Sequence, residues 1–129
     1  MIEFSLDSRS GVSPYLQVVQ QVRRALRLGL LVEGDQLPTV KEVVASLAIN
    51  PNTVLKAYRE LERDGLVAAR PGVGTFVTRT LADSSLAAHE PLRRDLGRWL
   101  VKARSAGLDD ESIEALFMST FRDLSEQIA

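Results

Sequence analysis

Apolar residues recur at Tyr15, Val18, Val19, Val22, Leu26 and Leu30. Steps of three and four bring such positions to one side of an α-helix, so the spacing predicts a first helix with a single buried stripe. Ser13 can cap it, and Pro14 suits the first helical position, where a missing N–H costs nothing. Arg23, Arg24 and Arg27 fall off the stripe and read as a solvated face, and Gly34 closes the region. A second helix of about two turns opens at Thr39, with Glu42 completing a capping box and Pro38 blocking extension upstream. Val43, Val44 and Leu47 are its inward residues. The third helix starts at Asn50-Pro51, buries Val54, Ala57, Tyr58 and Leu61, and ends before Gly65, a natural left-handed residue. Asn52, Thr53, Lys56, Arg59 and Arg63 face outward or lie at its edges.

After Gly65 the period changes. Residues 66–70 and 75–78 read as short strands around Pro71-Gly72-Val73-Gly74, a hairpin signal. Ahead of the first helix, Phe4 and Leu6 alternate with polar residues, a faint strand pattern in an extended arm. Residues 79–91 are mixed, with a helix expected to stop at Pro91. Leu92, Leu96, Trp99, Leu100 and Ala103 then form a helical stripe ending at Gly107. Asp109 caps a last helix whose stripe is Ile113, Leu116, Phe117, Phe121, Leu124 and Ile128. The whole is mainly α with a small β-hairpin.

Composition narrows the function. The chain has 129 residues, 45% of them apolar and only 7 aromatic, which suits a compact core of aliphatic side chains. Cysteine is absent and there is a single histidine, so disulfides, thiolate chemistry and a histidine metal cluster are excluded. Asp109, Asp110 and Glu111 at a helix start are electrostatic dressing rather than a metal site. No cofactor or metal is expected. No run of 18 apolar residues spans a membrane, and no basic stretch precedes an apolar one at the N-terminus, so a cytoplasmic protein is expected. The net charge of −1 announces no nucleic-acid partner; binding to DNA must come from a local basic face.

Helix, short helix, tight connection, helix, hairpin is the order of a winged helix-turn-helix, whose third helix enters the DNA major groove. Asn50, Asn52 and Thr53 are small polar residues that let such a helix approach closely, and Lys56 and Arg59 add positive charge a turn or two on. Four stretches carry a further resemblance: Pro14-Tyr15-Leu16-Gln17-Val18, residues 34–42 (GDQLPTVKE), residues 50–62 (NPNTVLKAYRELE) and residues 70–77 (RPGVGTFV). With this order and spacing over residues 12–78, the chain resembles the GntR superfamily of bacterial transcription regulators, and within it the YtrA-like subfamily.

That resemblance implies a DNA-binding domain over residues 1–78 and a helical dimerisation module over 79–129. It implies DNA contacts from Lys41, Asn50, Asn52, Thr53, Lys56, Arg59 and Arg70, and from a wing tip at Gly72 and Gly74. Lys41 stands where the family usually has arginine, which keeps the charge but loses the bidentate fork. Leu55 stands where many relatives outside the subfamily carry arginine, so that contact is absent. Two helices cannot bury both faces of an apolar stripe. Leu96, Trp99, Leu100, Ile113, Leu116, Phe117, Phe121 and Leu124 are therefore expected at the interface of a homodimer.

The expected function is a sequence-specific, homodimeric repressor that occupies a two-fold double-stranded operator beside a transporter-type operon, and so associates with the nucleoid. An enzyme is excluded by the absence of any catalytic motif. A winged helix used only for protein–protein contact and a nonspecific chromosome-organising protein are the alternatives; the polar face at Asn52, Thr53 and Lys56 argues against the first and the net charge against the second. No small-molecule effector is identified: the tail leaves little room for a pocket, although a site between two tails stays open.

Overall fold

The computed structural model describes residues 2–81 and 86–128. In chain order it contains α1 (Pro14–Arg27), α2 (Val40–Leu47), α3 (Pro51–Arg63), β1 (Val67–Arg70), β2 (Gly74–Val77), α4 (Leu86–Ser105) and α5 (Asp110–Ile128). The chain divides into two compact units, Met1–Ala87 and Ala88–Ala129. The expected boundary after Thr78 follows the end of the hairpin. Bonds beyond it hold more chain to the first unit: Arg79 Nη2 donates to the Asp64 carbonyl at 3.3 Å and Thr80 Oγ1 to the Leu26 carbonyl at 3.2 Å, while Leu81 packs on the core.

In the first unit the helical stripes meet. Val18, Val22 and Leu26 of α1, Val43 of α2, and Val54, Ala57 and Leu61 of α3 close on Leu37, Leu66, Val67 and Val77. Each fully buried leucine or valine here contributes roughly 1.5–3 kcal/mol. Two expectations for α1 need correction. The apolar spacing runs on through Leu30, yet the helix stops at Arg27, because Gly29 turns left-handed with φ 74°. Leu31 is buried in its place and Leu30 is exposed. Ser13 holds the N-cap position without a side-chain hydrogen bond. The capping of α2 is as expected: the Glu42 N–H donates to Thr39 Oγ1 at 3.1 Å.

The arm forms no strand. Gln21 bonds both backbone groups of Ser5, and Gln17 bonds both of Asp7. Two glutamines four apart on α1 thus take the place of a partner strand and seat Phe4 in the core.

The strands pair antiparallel, Val67 with Val77 through Arg70 with Gly74. Between them the Val73 N–H donates to the Arg70 carbonyl at 2.9 Å. Pro71 and then Gly72, with φ 75°, give the residue order and the sign of φ that a type II turn needs. A third segment completes the sheet. The Leu37 N–H donates to the Thr75 carbonyl and the Val77 N–H to the Asp35 carbonyl, both at 2.8 Å, with Gln36 bridged to Phe76.

In the second unit α4 runs through Pro91, which was expected to stop it. Proline removes one ladder hydrogen bond, that to the Ala87 carbonyl, and the helix continues through it. A helix across 82–85 and the side chain of Ile128 lie outside the described residues. The Ser112 N–H donates to Asp109 Oδ1 at 2.8 Å, the expected cap of α5. Hydrogen bonds from Ser112, side chain first and then backbone, hold the Asp109 carboxyl below the usual carboxylate range. Among the described residues only Ala103 and Ile113 are buried in this unit. Among them, too, no helix is long and apolar enough to cross a membrane.

Candidate nucleic-acid interface

α3 is capped by the residue just before it. Asn50 Oδ1 accepts the Asn52 N–H at 2.8 Å, so Asn50 is engaged in capping while remaining exposed. The Asn52 side-chain amide is exposed and, among the described residues, makes no bond within the chain. Thr53 is half-buried beside it, and Lys56 and Arg59 are exposed. Behind this edge Tyr58 anchors the helix: its buried hydroxyl donates to the Pro38 carbonyl at 2.6 Å. Burial, and secondarily the Glu42 carboxylate, push its phenol well above the usual tyrosine range. The connection from α2 is tight because Ala48 adopts a left-handed conformation, φ 54°, rare for a residue with a Cβ.

Charge on this surface is sorted. Glu62 Oε2 accepts the Ala69 N–H at 2.7 Å, and Asp64 pairs with Arg23 at 2.6 Å. Glu62 and Asp64 are thus engaged within the chain, while Lys56, Arg59 and Arg63 are exposed on the same helix. Arg23, expected on a solvated face, is the partner in that ion pair. Lys41 is exposed in the first turn of α2.

At the wing, the Arg70 guanidinium lies 4.6 Å from the centre of the Phe76 ring, its diagonal neighbour across the hairpin. Gly72 sits in open space with its positive φ, and no contact would block a side chain there. Gly74 is restricted from within: a Cβ would come 2.5 Å from Gln36 Nε2, and φ is 146°. Gln36 also donates to the Val73 carbonyl at 3.3 Å, a brace on the wing tip that the sequence did not announce. Tyr15 also departs from expectation. Its spacing marks it as core, yet it is half-buried, and the Lys56 ammonium lies 3.9 Å above its ring centre. One cue was available in principle, an aromatic in the first turn of a helix that packs against α3.

The tail residues form a second surface. Leu96, Leu116, Phe117, Phe121 and Leu124 are exposed, with Trp99 and Leu100 half-buried. The rings of Phe117 and Phe121 stack at 6.0 Å. Leu96, Trp99, Leu100, Phe117 and Met118 line an open groove of about 640 Å³. Ile113 is largely buried and lies at the wall of that groove.

Comparison with known proteins decides the family. Residues 14–77 match the gntR family of bacterial regulatory proteins. The transcriptional repressor YtrA of Bacillus subtilis (strain 168) is 33% identical over 112 residues, 84% of each chain. The chain belongs to the gntR family. A transcriptional antiterminator from Listeria monocytogenes EGD-e shares its fold at a TM-score of 0.58, with 30% identity over 95% of this chain and 92% of that one. The DNA-binding domain of AraR, solved in complex with operator ORR3, matches with a TM-score of 0.51 and 26% identity over 60% of this chain and 93% of that one. The protein is a DNA-binding transcription regulator with a winged-helix head, and its business is regulation rather than catalysis.

Proposed function

We propose that this gntR-family regulator acts as a homodimeric repressor on a two-fold operator. The head, read as residues 1–78, carries the DNA contacts, and the helices within 79–129 pair two copies. The observation that carries this reading is the exposed apolar surface of the tail, centred on Leu116, Phe117 and Phe121 beside the half-buried Trp99, which one chain leaves uncovered. A two-fold dimer presents two recognition helices to two half-sites, and the second head then binds at high effective concentration. In each head Asn52 and Thr53 read base edges, Asn50 caps α3 at the groove, and Lys41, Lys56 and Arg59 bind phosphates. Arg70 and the Gly72–Gly74 tip reach the adjacent backbone or minor groove. Repression by occupancy of a promoter is supported by the likeness to the Bacillus repressor, and a transporter-type operon beside it is the target that the subfamily resemblance implies.

The test is Phe117→Asp. Burying one such aromatic is worth roughly 1.5–3 kcal/mol, so a charge placed there splits the dimer. Light scattering then shows monomers with a folded head, and a titration on an operator selected from a random library shows a loss of about 10²-fold or more. A variant that stays dimeric, or a monomer that binds the full operator as tightly as before, refutes the proposed interface.

A further inference from the structure

α1 and α3 meet along a seam of regular rungs. Tyr15 stands at Lys56, and eight residues further along each sequence Arg23 of α1 stands at Asp64, the C-cap of α3. On an isolated helix Lys56 would pair with Glu60, its neighbour at i+4. Here it does not. Among the described residues Lys56 makes no ion pair, and Glu60 has one carboxylate oxygen buried without a hydrogen-bond partner. The ammonium lies instead 3.9 Å from the centre of the Tyr15 ring, while Lys56 as a whole stays exposed.

The ring itself is firmly placed. It follows Pro14 in the first turn of α1 and packs partly against the core. A lysine side chain left free samples many rotamers and loses that freedom when it binds. A ring face beneath the ammonium removes much of the loss beforehand and cannot occupy all three of its N–H donors. An aromatic ring, unlike a carboxylate, also leaves the positive charge available to an anion.

We propose that Tyr15 is a positioning residue for DNA binding: its ring presents the Lys56 ammonium to the phosphate backbone and keeps it from the Glu60 carboxylate. This rests on the reading above that Lys56 contacts phosphate.

The experiment uses the full chain and a short fluorescein-labelled duplex of random sequence, because phosphate contacts are independent of sequence. Tyr15→Leu, Lys56→Met and the double variant form a cycle, titrated over a range of salt. Lys56→Met weakens binding and lowers the salt slope by about 1 for each phosphate left without its cation. Tyr15→Leu weakens binding by about 5-fold in the Lys56 protein with the slope kept, and by less than about 2-fold in the Lys56→Met background. Tyr15→Phe, which restores a ring, recovers most of the loss. If Tyr15→Leu fails to fold, Tyr15→pentafluorophenylalanine against Tyr15→Phe keeps the shape and reverses the ring's charge distribution; binding is then weaker for the fluorinated ring. Equal losses from Tyr15→Leu in both backgrounds, or equal binding by the two rings, overturn the positioning role while leaving Lys56 in place. Unchanged affinity and slope in Lys56→Met overturn the phosphate contact itself, and the role of Tyr15 with it.

Discussion

In α3, Val54, Ala57 and Leu61 are closed off from solvent entirely, whereas in α5 Leu116, Phe117, Phe121 and Leu124 are between 41% and 59% exposed. Both helices carry an apolar stripe at helical spacing, and nothing in the spacing separates them. The difference lies in what each unit supplies as cover. The head brings three helices, a hairpin and the Asp35–Leu37 segment around one core, so each stripe finds a partner within the chain. The tail brings two helices, and among the described residues they bury only Ala103 and Ile113. A stripe states that a surface must be covered; the number of elements around it decides whether the cover comes from the same chain.

The sharpest way to break this contrast is to truncate one leucine of each kind. Leu61→Ala empties a filled site and costs about 2–5 kcal/mol of head stability. Leu116→Ala removes a side chain already 44% exposed. It leaves denaturant unfolding of dilute protein nearly unchanged and shifts only a concentration-dependent transition. Equal costs in dilute protein would mean that the tail stripe is covered without a partner.

A smaller effect separates the outward face of the head from its interior. Asn52→Ala lowers operator affinity by about 1–3 kcal/mol for each base edge it no longer reads, with random DNA bound as before and the melting temperature kept. The cap comes from Asn50, so the helix start survives the change. Loss of specific and random binding in equal proportion would remove Asn52 from base readout.

At the wing, Gly72→Val forces a β-branched residue into φ 75° at a cost of roughly 1–2 kcal/mol. Nothing stands within 4 Å to clash with it, so the damage is confined to the turn and to whatever approaches from outside. Operator binding falls and the dimer persists. Normal binding by the folded variant would place the wing away from DNA.

Much of this was legible in the sequence because the signals were local. Thr39, Asn50 and Asp109 cap as their residue types predict, and the hairpin lies within a residue of its expected bounds. What escaped depends on tertiary contact. Ala48 carries no mark of a left-handed turn. Gln36 braces the wing from 37 residues away from Val73 in sequence. Tyr15 shares its periodicity with the core, and only the packing of α1 on α3 shows its ring beneath a cation. Leu30 and Pro91 misled for the opposite reason: one fits the helical period past the true end, and the other removes one backbone donor without ending α4.

The smallest effect tests how tightly the interior of the head is sealed, and it comes from one proton. Tyr58→Phe deletes the bond to the Pro38 carbonyl and leaves a buried acceptor unpaired, at a cost of about 1–2 kcal/mol near neutral pH. The phenol has its acidity suppressed in the folded head, first by burial and then by Glu42. Below the unfolded value of 10.0 both states keep the proton, and the contribution of Tyr58 is fully present. As the pH rises through that value the unfolded chain releases the proton and the folded head does not, so folding becomes less favourable with each further step. Denaturant unfolding of the native chain should therefore lose stability above about pH 10 more steeply than that of Tyr58→Phe, and the gap between the two should narrow. Parallel curves through that range would mean that water reaches the Tyr58 hydroxyl in the folded head, and that the anchor behind the recognition helix is not sealed.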